Sequence, residues 1–429
     1  MAALAPWRHD LTGGRAFHEL EGMYVAQWQA NNLRDPGGCH PYIKLLVADP
    51  GSGVTEQGVP DPAEEMRSAR AVVKSLLAHH PRLVAVIGLA LSRAPMIAAA
   101  HDLAAARVPV VADLVTADGF DRSNFSKIPA PCAEKVDRSR TLGDFYRLTF
   151  ANGKYLERMS GFLRGSGQLK TGEAVQVTQY GYDQDPFACT NVHHVNQLIT
   201  PPRDPIAFEL SRRGSDAIGP LTTKVTPICG NGSAIRTVFY TARALDLANF
   251  IIALGNACPS GITVAGPTDS TRLLTPEIDG AADQQRLAAL QVLAEGKVKL
   301  FYPSSTTPAR VTAAPGYVQL QKAFHGAFNG NPLFPLDAAE LADTWIVNAH
   351  DAFYVTAAAI HALDGNKQTH TPGHVAVNLS AFQITGAAQG TIGFDDNGTR
   401  VAKPGEPVVV RLCVTASGPQ IREEPSCTA

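Results

Sequence analysis

Apolar residues along the chain alternate between short unbroken runs and longer stretches where they recur every three or four positions. "PYIKLLVAD" (41–49), "LVAVIG" (83–88) and "VPVVADL" (108–114) are runs suited to strands buried on both faces. Between the first two, "PAEEMRSARAVVKSLLAHH" (62–80) places Met66, Ala69, Val72, Val73, Leu76 and Leu77 at helical spacing. Glu64 and Glu65 suit a helix N-terminus, Asp61 before Pro62 reads as the cap, and His79–His80 complement the C-terminal end of the dipole. "APMIAAAHDLAAAR" (94–107) is the next helix. A second series opens at "DFYRLTF" (144–150) and continues with helix "NGKYLERMSGFL" and strands "EAVQVTQYG" (173–181) and "IRTVFYT" (235–241). Helix "RALDLANFIIALGNA" (243–257) and strand "GITVAGP" (261–267) complete it.

Strand and helix alternating at this pitch predict an α/β fold with parallel sheets covered on both faces. The segment from Pro201 to Gly232, rich in Pro, Gly and Thr, has no assignable pattern. The tail reads as one long helix over 336–365 and then a hairpin-like pair over 390–414, with Asn397–Gly398 supplying the positive φ angles of a tight turn. Two α/β series followed by a helix and closing strands predict two doubly wound parallel-sheet lobes joined by multiple hinge crossings, with a ligand cleft between. Lobe 1 would hold 1–143 and 301–400, and lobe 2 144–300 and 401–429.

Composition narrows the function classes. A chain of 429 residues with 45% hydrophobic and 18% charged residues is globular and long enough for two cores. The formal net charge of −2, with no basic run, excludes a nucleic-acid footprint. The longest apolar stretches are interrupted by charge and too short to span a bilayer, and "AALAPWRHDL" after Met1 lacks the regions of a secretory signal. Seven cysteines carry no CxxC or Cys/His metal spacing, so no metal or cofactor is expected. They are either buried free thiols or, in an exported protein, partly bridged, with Cys229 and Cys258 the best candidate pair.

"VAVIGLALSRAPMIAAAHDLAAARVPVVADLVTADGF" resembles the ligand wall of the type I periplasmic binding-protein fold. "TVFYTARALDLANFIIALGNACPSGITVAGPTDS" and "GTIGFDDNGTRV" are similar to that fold's second-lobe unit and closing hairpin. The order of these segments, from helix "RAFHELEGMYVAQWQAN" onward, resembles the branched-chain amino acid (Leu/Ile/Val) substrate-binding proteins of ABC transporters. The resemblance implies an extracytoplasmic solute-binding protein, not an enzyme, that captures an amino acid or related metabolite by lobe closure. It implies an ABC permease as partner and a location outside the cell or on its surface, with the chain tethered by a segment absent from it. A ligand-sensing ectodomain with a membrane-anchored signalling partner is the first alternative, and an α/β hydrolase or amidase the second. Three features depart from the family pattern: no lipoprotein cysteine, a divergent "QYGYDQDPFACTNV" loop and a long 201–232 segment.

In open α/β sheets ligands sit outside the carboxyl ends of the strands, where helix N-termini favour a carboxylate. Leu91 and Ser92 in one such loop and Val115 and Thr116 in the next are therefore candidates. Ser92 and Thr116 are expected to face each other, with nearby N–H groups turned toward the ligand. Two plainer readings stand beside this one, a helix N-cap for Ser92 and a solvated hydroxyl for Thr116. In the second lobe, Thr268 and Asp269 follow Gly-Pro, and the resemblance implies an acid here that accepts the ligand's ammonium. Alternatively, Asp269 caps the next segment or pairs with Arg272. Tyr240, with Phe187 or Tyr182, would supply an aromatic wall. No Gly-x-Ser-x-Gly elbow, GxGxxG, Walker loop or HExxH occurs. "CGNGSA" (229–234) is a poor phosphate cradle, and His350 and His361 read as helix packing.

Overall fold

The computed structural model describes residues 1–4, 14–33, 41–51, 62–89, 91–122, 132, 141–209, 218–230, 232–332 and 335–427. They form two units, Met1–Phe150 with Pro308–Lys403 and Ala151–Thr307 with Pro404–Ala429. The chain therefore passes between them after Phe150, Thr307 and Lys403.

The first unit opens with β1 (Ala2–Leu4), α1 (Arg15–Asn32), β2 (Leu46–Ala48), α2 (Pro62–His79) and β3 (Val86–Gly88). It continues through α3 (Ala94–Ala105), β4 (Val110–Ala112) and β5 (Phe145–Arg147). The strands form a sheet of order β2-β1-β3-β4-β5 with every pairing parallel. Register aligns Leu4, Gly88, Ala112 and Arg147 in one row, so the carboxyl ends of four strands finish together. The apolar runs forecast β2, β3 and β4, although each strand is shorter than its run because the ladder spans only three residues. "DFYR" differs from expectation: it pairs with β4 and belongs to the first sheet instead of opening the second series. Asp61, the expected cap of α2, lies outside the described residues, as does Cys39.

The second unit runs through α4 (Asn152–Gly165), β6 (Ala174–Gln179), α5 (Pro186–Leu198), β7 (Ile206–Phe208) and α6 (Ile218–Val225). Then come β8 (Thr237–Tyr240), α7 (Leu247–Ala257), β9 (Ile262–Ala265), α8 (Gly280–Ala294) and β10 (Val298–Ser304). β7 and α6 fill part of the segment that had no assignable pattern. Its sheet repeats the first one's logic: β7-β6-β8-β9-β10 are parallel. Its core is aromatic, with Phe239, Tyr240, Phe250 and Phe301 all buried. Gly255 lets α7 approach α8, because a Cβ there would sit 2.5 Å from Val292 Cγ1.

Back in the first unit, α9 (Pro308–Ala313), α10 (Tyr317–Phe328), α11 (Ala338–Asp343), α12 (Trp345–Gly365) and α13 (Pro372–Ala381) precede β11 (Ile384–Ala387) and β12 (Gly390–Ile392). The expected helix over 336–365 is two helices. Asp337 caps α11 through the N–H groups of Ala339 and Glu340, and Thr344 breaks the run at φ 71°. A β-branched residue in the left-handed region is costly and has to be imposed by its surroundings. α12 packs on α1 closely enough that a Cβ on Gly22 would meet Ile346 O at 2.2 Å. His350 packs as expected, stacked on Tyr354 and bonded through both ring nitrogens to Asp351 and Gln29.

The expected 390–414 hairpin does not form. β12 pairs back onto β11, while β13 (Val408–Thr415) runs antiparallel to β10 and carries β14 (Gly418–Arg422) on its other edge. The run "PVVVRLCV" has buried Val408, Val409 and Val410, and an interior place in the second sheet suits it better than a two-stranded ribbon. The second sheet is thus mixed, not wholly parallel. The Asn397–Gly398 turn does form, but only Gly398 takes a positive φ, 74°; Asp395 holds the turn through the N–H groups of Asn397 and Thr399. No described helix is long and apolar enough to cross a membrane.

Cys229 and Cys258 are bonded, with Cα atoms 5.2 Å apart, as are Cys413 and Cys427 at 5.5 Å. Replacing Cys229 and Cys258 by alanine is expected to cost about 3–4 kcal/mol on chain-entropy grounds. Urea unfolding of the oxidised parent against the double variant measures this. Peptide mass spectrometry of the unreduced parent should find the pair linked, and two free thiols would contradict it.

Candidate functional site

In each parallel sheet the strand order turns back on itself, between β1 and β3 in the first unit and between β6 and β8 in the second. Loops leave such a switch point in opposite directions and open a crevice at the carboxyl ends of the strands. The two switch points are therefore the places in each unit where sequence and topology together favour a ligand.

In the first unit, the chain after β3 turns through Gly88 at φ 98° and Leu89 at φ 68°. Only glycine fits the first position, since a Cβ would lie 2.9 Å from Leu4 O and 3.0 Å from Glu19 Oε1. Leu89, fully buried, is held in the left-handed region and donates its N–H to Leu4 O at 2.7 Å. This bend delivers Ser92, whose Oγ accepts the N–H groups of Thr116 at 2.9 Å and Ala117 at 3.0 Å. The contact is made by the Thr116 backbone, and the Thr116 side chain is buried, so the solvated-hydroxyl reading fails; two further readings fail with it. The N-cap residue of α3 is Arg93, so Ser92 is not its cap. The nearby N–H groups point at Ser92 itself instead of outward to a carboxylate.

Loop 113–117 is braced from several sides. Thr149 Oγ1 donates to Val115 O at 2.5 Å, and Arg147 Nη1 donates to Ala117 O at 2.9 Å. Val115 is fully buried and belongs to the core. It is Leu114 that packs with Leu91 against Trp345, the first residue of α12. Buried Trp345 and half-buried Leu91 and Leu114 thus form a small apolar cluster beside the loop. Sequence reasoning missed Leu114 and Trp345; a single-residue shift of the loop separates Val115 from Leu114, and Trp345 comes from a distant part of the chain.

In the second unit, the switch point holds a tight polar cluster. Arg243 grips Asp185 with two hydrogen bonds, Nε to Oδ2 at 2.6 Å and Nη2 to Oδ1 at 2.7 Å. Gln179 accepts the Arg243 backbone N–H at 3.1 Å and donates to Asp185 at 3.2 Å. The guanidinium lies 5.0 Å from the centre of the Phe187 ring. Asp185 also caps α5 through the Phe187 N–H. Asp185–Pro186 is a helix-start signature that could have drawn attention to this corner; nothing in the sequence marks Gln179 or Arg243.

The remaining expected residues divide. Phe187 stands in the cluster, and half-buried Tyr182 opens the short turn before it. Tyr240 does not form a wall: it is buried, donates its hydroxyl to Arg243 O and packs on Phe250 at 4.8 Å. Thr268 and Asp269 lie in the turn after β9. Asp269 Oδ2 accepts the Ala244 N–H at 2.9 Å, while Arg272 pairs with Glu277 instead. Burial raises the Asp269 carboxyl above its ordinary range, against the opposing pull of the Ala244 N–H, Arg243 and Arg272.

The fold matches solved structures over nearly its whole length. A leucine-binding protein from Thermotoga maritima is 14% identical, with 98% of this chain and 97% of that chain covered and a TM-score of 0.62. An ABC-transporter solute-binding protein from Rhodopseudomonas palustris, solved with p-hydroxybenzoic acid, is 14% identical over 99% of this chain and 95% of its own, at 0.63. A branched-chain amino acid substrate-binding protein from Streptococcus pneumoniae, solved with isoleucine, is 15% identical over 98% of both chains, at 0.60. No protein-family model and no curated protein matches the sequence. The chain thus has the type I periplasmic binding-protein fold.

Ser92→Ala should leave two buried N–H groups without their acceptor and destabilise the protein by about 1–3 kcal/mol. Denaturant unfolding measures the change, and an unchanged midpoint would show that the loop does not depend on Ser92.

Proposed function

We propose that the protein captures a small acid with an apolar body, such as an amino acid or a related metabolite, without transforming it. The observation that carries this reading is the Leu91, Leu114 and Trp345 cluster beside a braced strand-end loop, set at the switch point of a fold shared with solute-binding proteins. An apolar wall flanked by a few placed polar groups is what a small-ligand site requires. The Ser92 hydroxyl supports binding over chemistry: its oxygen accepts two backbone N–H groups, an arrangement that holds a loop in place.

The leucine-, isoleucine- and p-hydroxybenzoate-binding proteins of the same fold indicate where to look for the ligand. The same likeness supports delivery to an ABC-type permease outside the membrane. Asp269 is the group that would separate the ligand classes, since its carboxyl suits an ammonium and gives nothing to a benzoate.

The test is a thermal-shift panel of leucine, isoleucine, valine, phenylalanine, benzoate and p-hydroxybenzoate. A ligand present at 100 times its Kd adds about 2.7 kcal/mol, roughly 5–10 °C in Tm for a unit of this size. An amino-acid hit should lose at least tenfold in affinity in Asp269→Asn, and an aromatic-acid hit should not. A panel without any shift, or turnover of an amide or ester by the purified protein, would contradict the proposal.

A further inference from the structure

Two carboxyl groups meet beneath the strand-end loop of the first unit. Glu19 comes from the second turn of α1, and Asp113 directly follows β4; both side chains are 0% exposed. They lie within hydrogen-bonding reach of each other, and Glu19 Oε1 also sits against Gly88 at the end of β3. None of their four oxygens finds a hydrogen-bond donor among the described residues. The N–H groups of Asp113 and Leu114 pull on the Asp113 carboxyl without reaching bonding geometry.

The charged groups on neighbouring elements are engaged elsewhere. On α1, Arg15 pairs with Asp343 and His18 with Glu340, both partners on α11. Glu21, the other acid of α1, lies two residues on and so on a different side of the helix. On α12, His350 pairs with Asp351, which accepts the N–H groups of Ala388 and Gln389. From β5, Arg147 is committed to Ala117 O and Thr399. Strands β1, β3 and β4 present only apolar side chains.

Two ionised carboxylates side by side in such a place would repel each other with little water to screen them. We infer that Glu19 and Asp113 hold one proton between them, with the Glu19 O–H donating to the Asp113 carboxylate, and that this bond pins loop 113–117 to α1. Glu19 is then a positioning residue, acting through Asp113 on the loop that carries Leu114 and Thr116. Burial and the Asp113 charge hold the Glu19 carboxyl well above its ordinary range, and burial pushes Asp113 up to about 6. Both displacements are upward, so the folded protein keeps protons that the unfolded chain has released. Stability is therefore full below the ordinary carboxylate range and declines as pH rises through the folded values. The bearing on ligand capture rests on the solute-binding reading above; the shared proton does not.

The experiment is thermal unfolding of the parent and Glu19→Gln from pH 5 to 9, with no ligand added. An amide donates to Asp113 without a titratable proton, so the Glu19→Gln curve should be flatter. Its Tm should exceed the parent's at pH 9 by about 3 °C or more. Parallel curves would overturn the inference. So would a fall in the parent's Tm on adding a chelator at pH 7 that Glu19→Gln does not show, because a metal ion would then stand where the proton is placed. If Glu19→Gln fails to fold, infrared spectra of the parent decide: a protonated carboxyl at pH 7 is expected, and only ionised carboxylates would contradict it. None of these readouts involves a ligand, so an empty ligand screen leaves them untouched and their failure leaves the screen's result intact.

Discussion

The organisation of both units follows from strands that are buried on both faces. β1, β3 and β4 expose no side chain to water, and neither do β8 and β9. Each polar side chain on such a strand needs a buried partner, as Thr237 and Thr263 find in Gln168, so few are accommodated along its length. Polar groups therefore collect where the strands stop, and the aligned ends at Leu4, Gly88, Ala112 and Arg147 put four such stops in one row. Gly88, Ser92, Asp113, Thr116 and Arg147 in the first unit all follow from that single constraint. Gln179, Asp185 and Arg243 occupy the corresponding corner of the second.

What distinguishes the two corners is how their polar groups are satisfied. In the first, the side chains are spent on holding loops: Ser92 gathers two N–H groups, Arg147 and Thr149 hold carbonyls, and beside them Leu91 and Leu114 pack on buried Trp345. In the second, a bidentate Arg243–Asp185 pair lies over Phe187, so charge and an aromatic face stand together. An ion pair of this geometry fixes its own position. The first corner is thus lined by apolar side chains and the second by a charged pair.

The long elements were legible in the sequence because their signals are redundant. α2, α3, α4 and α7, with β3, β4, β6 and β8, combine periodicity, length and end signals, and each matches its sequence pattern to within a few residues. The misses have local causes. β1 is three residues of "MAAL", too short to show a pattern. Thr344 breaks a helical run that contains no proline and no glycine before Gly365, since its conformation is set by what surrounds it. "PVVVRLCV" joins a sheet whose other strands lie far away in the chain. Ser92, Thr116 and Asp269 lie in the loops that follow β3, β4 and β9, where strand-end reasoning puts them, and Phe187 lies in the first turn of α5. Tyr240 is also the last residue of its strand, but both faces of β8 are covered, and its ring packs on Phe250. Arg243, Gln179 and Trp345 were invisible because their roles depend on partners distant in sequence.

The central claim is that small-ligand recognition resides at the carboxyl ends of the parallel strands, at the switch points. Backbone amide NMR of the isotope-labelled protein, titrated with the best compound from the thermal-shift panel, tests it most directly. The largest shift changes should fall on amides of Leu91, Ser92, Leu114 and Thr116 and on those around Gln179, Asp185 and Arg243. Changes concentrated at the opposite ends of the strands, or on β13 and β14, with these loops unaffected, would contradict the account.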